Sequence, residues 1–285
     1  MKPVTGALVL ALAAALAAAP SARAGDVPAD VKEAIAYFEK YAPKAKDETK
    51  YAELVNELAS TQDPAAAERI ARVLTEDKNI EHQLIAADAL SDFTKTVAGK
   101  EAAGKALVKA LQKGIDDEDV AIQVVDAIGK LPYTPGCLPI CEILVKSDSP
   151  WLMLRCVRTL GRLKDLHALP ALLEILERFP VGFKWPAGDE VTVDSGAAGD
   201  ADQQAAEQKY NEQNAGHKKG KPPVMFRAYI QELKKTVQII TNDPTIVTAK
   251  MLRDWMIART ELLAKLGIEI PKYKGPTQKD DDKKK

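Results

Sequence analysis

Internal repetition constrains this chain more than any other feature. The segment from Asp119 to Leu131 returns, altered, from Trp151 to Leu163: Gly129 recurs as Gly161, Lys130 as Arg162 and Leu131 as Leu163, at an offset of 32 residues. That length holds two helices and their turns. A unit so small cannot bury its apolar face alone, so each copy must stack on its neighbours. The repetition therefore predicts an all-α array of helical pairs.

The spacing of apolar residues carries the same reading outwards from the repeats. From Ala29 to Ala42 and from Glu48 to Ser60 they recur every three or four positions, the period of a helix. Further helices are expected over about 64–76, 80–93 and 100–113, then to about 131 behind caps at Asp116 to Asp119, from Pro135 with apolar residues through Leu144, over 150–163, and from about 167 to 179. Asp63-Pro64 and Ser149-Pro150 read as N-cap plus first-turn proline, and Gly114 as a C-terminal glycine.

The pattern Asp119-Val120, Ala127-Ile128-Gly129-Lys130-Leu131, Leu138-Pro139, with its second copy Leu160-Gly161-Arg162-Leu163 and Leu169-Pro170, resembles HEAT repeats of the short, PBS-lyase-like kind. The match is specific over about 116–178 and fainter over 63–114, where Ala89-Leu90-Ser91 replaces the Ala-Ile-Gly step. The resemblance implies a right-handed α-solenoid in which the glycine lets helices approach closely and Leu-Pro starts the next outer helix. Some relatives of this kind act as lyases on bilin chromophores, so an enzyme or chromophore-lyase-like factor is the alternative that the resemblance brings.

The ends differ from the array. Lys2, the apolar run Ala7 to Ala19 and Ala22-Arg23-Ala24 have the order of a secretory signal peptide, which assigns residues 1–24 to export and the mature chain to the periplasm or the outside of the cell. Removing Lys2 and Arg23 takes the formal charge from −1 to −3, which offers no general attraction to nucleic acid or anionic lipid. No later segment is apolar enough to be an integral membrane span.

Residues 25–179 form the expected repeat array. The regularity breaks at Val181, and 180–224 reads as an insert with a small β-hairpin (Val181 to Trp185, Glu190 to Asp194), a polar helix from Asp200 and a basic linker. A C-terminal helical pair is expected over 225–270, its second helix running from Pro244 to Leu266. The charged tail, 271–285, lacks the apolar residues that a packed element needs.

Chemistry-bearing groups are sparse. His82, His167 and His217 sit in no zinc-binding or nucleophile motif, and no phosphate loop or dinucleotide fingerprint occurs, so no catalytic residue, metal site or cofactor is assigned. Asp189, Glu190, Asp194, Asp200, Asp202 and Glu207 in the insert suit either calcium or turn and cap duty. Cys137, Cys141 and Cys156 read as small core residues, or as one bridge from Cys156 to either of the others with a thiol left over.

Overlaying the repeats exposes a charge pattern. On the second helix of each unit, which usually lines the concave side of such arrays, Asp88, Asp126 and Arg158 share one rung and Asp92, Lys130 and Arg162 another. Arg155 joins Arg158 and Arg162 on one helix face. This wall, acidic at one end and basic at the other, either orients a partner or is a solvated surface of inter-rung salt bridges. Trp185 either anchors a partner or packs the hairpin. The expectation is a non-enzymatic scaffold that binds a protein or peptide through Asp126, Lys130, Arg155, Arg158, Arg162 and Trp185.

Overall fold

The structure, a computed structural model, describes residues 29–45, 47–178 and 224–272. The expected signal segment and the expected β-hairpin and polar helix, with Trp185, the acidic residues and His217, lie outside the described residues. Among the described residues all regular structure is helical: α1 (Ala29–Tyr41), α2 (Glu48–Ser60), α3 (Pro64–Glu76), α4 (Ile80–Ser91), α5 (Val97–Lys113), α6 (Glu118–Lys130), α7 (Cys137–Lys146), α8 (Pro150–Leu163), α9 (Leu169–Arg178), α10 (Val224–Thr241), α11 (Ala249–Ile257) and α12 (Thr260–Lys265).

Local sequence explains where most of these helices start. The side chains of Asp47, Asp63, Asn79, Thr96, Asp117 and Ser149 each accept a hydrogen bond from a backbone N–H of the following first turn. Such a cap satisfies a donor that the helix itself leaves orphaned, an effect of about 1 kcal/mol. Short 3₁₀ turns at 134–136 and 166–168 lead into α7 and α9. The C-terminal helix expected from Pro244 to Leu266 is instead two pieces. It starts late because Thr248 provides the N-cap of α11, and the helix is interrupted at Ala258 and Arg259.

The helices pack in two layers. Helices α1, α3, α5, α7, α9 and α11 follow one another in the first layer, and α2, α4, α6, α8 and α10 in the second. Within each unit the two layers meet as α1 with α2, α3 with α4, α5 with α6, α7 with α8, and α9 with α10. One apolar cluster runs between them from Phe38 to Ile268, through Ile70, Leu90, Leu107, Ile128, Leu144, Leu160, Leu172 and Leu233. Burying each such side chain stabilises the fold by about 1.5–3 kcal/mol.

Register in the second layer is set by a recurring contact. Thr159 Oγ1 on α8 donates to the Val125 carbonyl on α6 (3.2 Å), 34 residues back. Thr236 Oγ1 on α10 donates to the Val157 carbonyl on α8 (3.1 Å), 79 residues back. Val157 is Val125 advanced by one 32-residue period, so Thr236 occupies the place of Thr159 in the next unit. The excess separation, 79 against 34, is 45, which is the length of 179–223. This segment therefore interrupts the fifth unit between its two helices, and α10 completes that unit rather than opening a separate C-terminal pair. In the other units residues 42–47, 77–79, 114–117 and 147–149 make the same connection.

Glycine makes the close approach possible. A Cβ on Gly129 would lie 3.0 Å from Thr159 Oγ1, and one on Gly161 2.9 Å from Thr236 Oγ1. At the N-terminal end a different device joins the units: Gln62, buried with φ +56°, donates from Nε2 to the carbonyls of Ala59 and Asp92 and accepts from the Lys95 N–H. Thr96 Oγ1 donates to the Gln62 carbonyl, which pins the turn after α2 to the turn before α5.

Candidate functional site

The charged residues singled out by the repeat overlay come together on the second layer. Asp88 on α4 accepts from Gln123 Nε2 (3.0 Å) and Lys130 Nζ (2.7 Å), both on α6. Asp126 on α6 meets Arg155 Nη1 (3.0 Å) and Arg162 Nη1 (3.9 Å), both on α8. The geometry repeats: each aspartate lies level with its own counterpart on the next helix and is straddled by the side chains one turn to either side. Carried to α10, the same rule brackets Arg158 with Glu232 and Ile239. Glu232 makes its ion pair with Lys235 (3.9 Å), and Arg158 has no ion pair among the described residues.

Burial separates these pairs. The Asp88 and Lys130 side chains are about half exposed, so their bridge contributes little, about 0.2–1 kcal/mol. Asp126 is more enclosed, with 14% of its side chain exposed and its Oδ1 buried without a hydrogen bond. One carboxylate thus serves two guanidinium groups and fully engages only Arg155.

Two further carboxylates belong to this face. Glu81 on α4 and Asp119 on α6 lie seven residues before Asp88 and Asp126, two helical turns along the same side. That spacing was present in the sequence as a signal and the overlay of rungs missed it. Burial, then the neighbouring charges of Asp117 and Glu118, push the Asp119 carboxyl up from its ordinary value. Counted by helix, the face carries −3 on α4 (Glu81, Asp88, Asp92), −1 on α6 (Asp119, Asp126, Lys130) and +3 on α8 (Arg155, Arg158, Arg162). On α10, Glu232 and Lys235 cancel.

A second cluster resembles catalytic machinery only in composition. Cys137, Asp165 and His167, with Thr134, Pro135 and Leu138, line an open hollow of about 260 Å³. The Cys137 thiol is held protonated by hydrogen bonding to the Cys141 thiol, by burial and by the nearby Asp165 charge. His167 is also committed, with Nδ1 2.7 Å from Asp165 Oδ1 and Nε2 3.0 Å from the Leu266 carbonyl. A nucleophilic cysteine needs a thiolate and a base free to take its proton. This arrangement supplies neither.

All three cysteines are free and buried, so the bridge from Cys156 is not formed in the structure. Burial, with the charge of Asp126 nearby, pushes the Cys156 thiol up. His82 stacks on Tyr51, their ring centroids 3.6 Å apart, and its Nδ1 lies 2.9 Å from Asp77 Oδ2. Among the described residues no three His, Cys, Asp or Glu side chains are grouped to hold a metal ion. None of the described helices is long and apolar enough to cross a membrane.

The chain matches no protein-family model, and no curated protein is significantly similar to it in sequence. The resemblance to short HEAT repeats therefore rests on the residues quoted above. The packing of helices in stacked pairs is compatible with a helical-repeat solenoid.

Proposed function

We infer that this protein is an exported, non-enzymatic scaffold that binds a protein or peptide partner through the exposed face of its second helical layer. The observation that carries the reading is the charge change along that face, from −3 on α4 to +3 on α8, built on a packing frame that repeats from unit to unit. A rigid surface of graded charge orients an approaching partner and rejects one of the wrong polarity. Export rests on the N-terminal segment, whose charged start, apolar core and small-residue cleavage motif direct the chain to the periplasm or beyond.

Site-specific photo-crosslinking in cells tests the reading. A crosslinking residue at Arg158, on the second layer, is expected to capture a defined partner, and one at the exposed Lys109 on α5, in the first layer, is not. Changing Arg155, Arg158 and Arg162 together to Glu should abolish capture from a neighbouring second-layer position such as Gln123 on α6. Equal capture from both layers, unaffected by the charge reversal, would sink the proposal.

A further inference from the structure

We propose that the partner segment is an extended peptide carrying a basic side chain over α4 and an acidic side chain over α8, about six residues apart. This rests on the scaffold reading above and specifies what that face selects.

Internal pairing leaves a residue of charge at each end. Lys130 neutralises Asp88 and Arg155 neutralises Asp126, so α4 keeps Glu81 and Asp92, neither of which makes an ion pair among the described residues. Helix α8 keeps Arg158, and it keeps Arg162, which comes no nearer than 3.9 Å to the already engaged Asp126. Glu232 on α10 makes its ion pair with Lys235 (3.9 Å) and none with Arg158. Between the two ends α6 offers no uncompensated cation, and on this face it keeps one carboxylate without an ion pair among the described residues, Asp119, against two on α4.

Distance then selects the conformation. Packed helices lie about 8–10 Å apart, so α4 and α8 are separated by roughly 16–20 Å. An extended chain covers that span in about five to six residues at ~3.3 Å each, whereas six residues of helix reach only about 9 Å. A uniformly anionic polymer laid across the layer is a poor occupant, because it would meet the carboxylates of α4 as well as the guanidinium groups of α8. Arginine at the acidic-binding end suits this role, as its planar fork takes a carboxylate through two parallel hydrogen bonds.

Fluorescence anisotropy with labelled peptides in a Gly/Ser/Ala background provides the test. A peptide with Lys and Glu six positions apart is expected to bind about tenfold more tightly than one of the same composition with them two apart, and the advantage should fade in high salt. Arg158→Glu, which leaves α8 with Arg162 balanced by the new carboxylate, should abolish the preference for the six-residue Lys–Glu pair, and Asp92→Lys, at the exposed end of α4, should abolish it from the other side. The second variant keeps the test decisive if the first fails to fold. Equal affinity for both spacings, with Arg158→Glu weakening each, would overturn the bipolar span while leaving the scaffold reading intact. Failure of every peptide to bind a chain with wild-type helical circular dichroism would overturn the peptide span, while the crosslinking at Arg158 and Lys109 decides the scaffold reading separately.

Discussion

At the scale of single residues, Gly161 and Thr236 show how little space separates neighbouring units. The Thr236 hydroxyl reaches past Gly161 to the Val157 carbonyl, and a methyl group on Gly161 would meet it at 2.9 Å. Gly161→Ala gains about 1 kcal/mol of helix propensity but incurs about 1–3 kcal/mol of overpacking, so a net loss of about 1 kcal/mol is expected. In a Thr236→Ala background the clash disappears, and the same glycine substitution should become neutral or stabilising. Urea unfolding of the four proteins measures this coupling. His167 offers a second residue-level expectation. Its two ring nitrogens face the Asp165 carboxylate and the Leu266 carbonyl, both acceptors, so only the doubly protonated ring donates to both. The hydrogen bond to Asp165, ahead of the Leu266 contact, raises its pKa above the ordinary 6.5, against a smaller opposing effect of burial. The stabilisation is therefore complete below 6.5 and is lost as pH rises through the raised value. Titration followed by NMR should place the His167 midpoint above 6.5. In Asp165→Asn it should fall back, and an unchanged midpoint would refute the role of the Asp165 hydrogen bond.

At the scale of elements, the second-layer contacts carry the register of the array across 179–223. Helix α10 sits on α8 as α8 sits on α6, although its threonine contact reaches 79 residues back where the preceding one reaches 34. The fold of the fifth unit thus needs only a short connection between α9 and α10, of the kind that 114–117 makes between α5 and α6. Replacing residues 179–223 by a four-residue loop of that kind is expected to preserve helicity and to leave the unfolding midpoint within a few degrees of wild type, because short helix–helix connections are the common case and longer ones cost little entropy. A collapse of α10 packing, seen as rapid amide exchange over Tyr229 to Ile240, would show that the segment is integral to the unit. Many helix limits were legible in the sequence, since caps such as Asp63 and Ser149 act within one turn, but α5, expected from about 100, starts at Val97 behind the unread cap Thr96. The division of the last helical region was not legible either. The packing that completes α9 with α10 depends on contacts with α8, distant in the chain.

At the scale of the whole molecule, the array is a frame of repeated packing that carries a changing surface. The buried positions stay apolar or small from unit to unit, whereas the level occupied by Asp88 and Asp126 becomes Arg158. The overlay identified both rungs and the charge change from α4 to α8. It could not tell which charges are spent on one another, because a side chain three residues before a rung and one four residues after it are equally near in sequence terms. Gln123 with Lys130, and Arg155 with Arg162, straddle their aspartates only once the helices are set side by side. The sequence by itself determined the helical class, the 32-residue period, caps such as Asp63 and Ser149 and the glycine positions, because these follow from interactions within a few residues or from packing that recurs identically. Only the tertiary structure decided that α10 completes the fifth unit, that Gln62 ties the first turns together, and that Arg158 and Arg162 keep unspent charge. Those outcomes depend on which distant side chains meet, and the closing of long loops is a property of the packed array rather than of any segment within it.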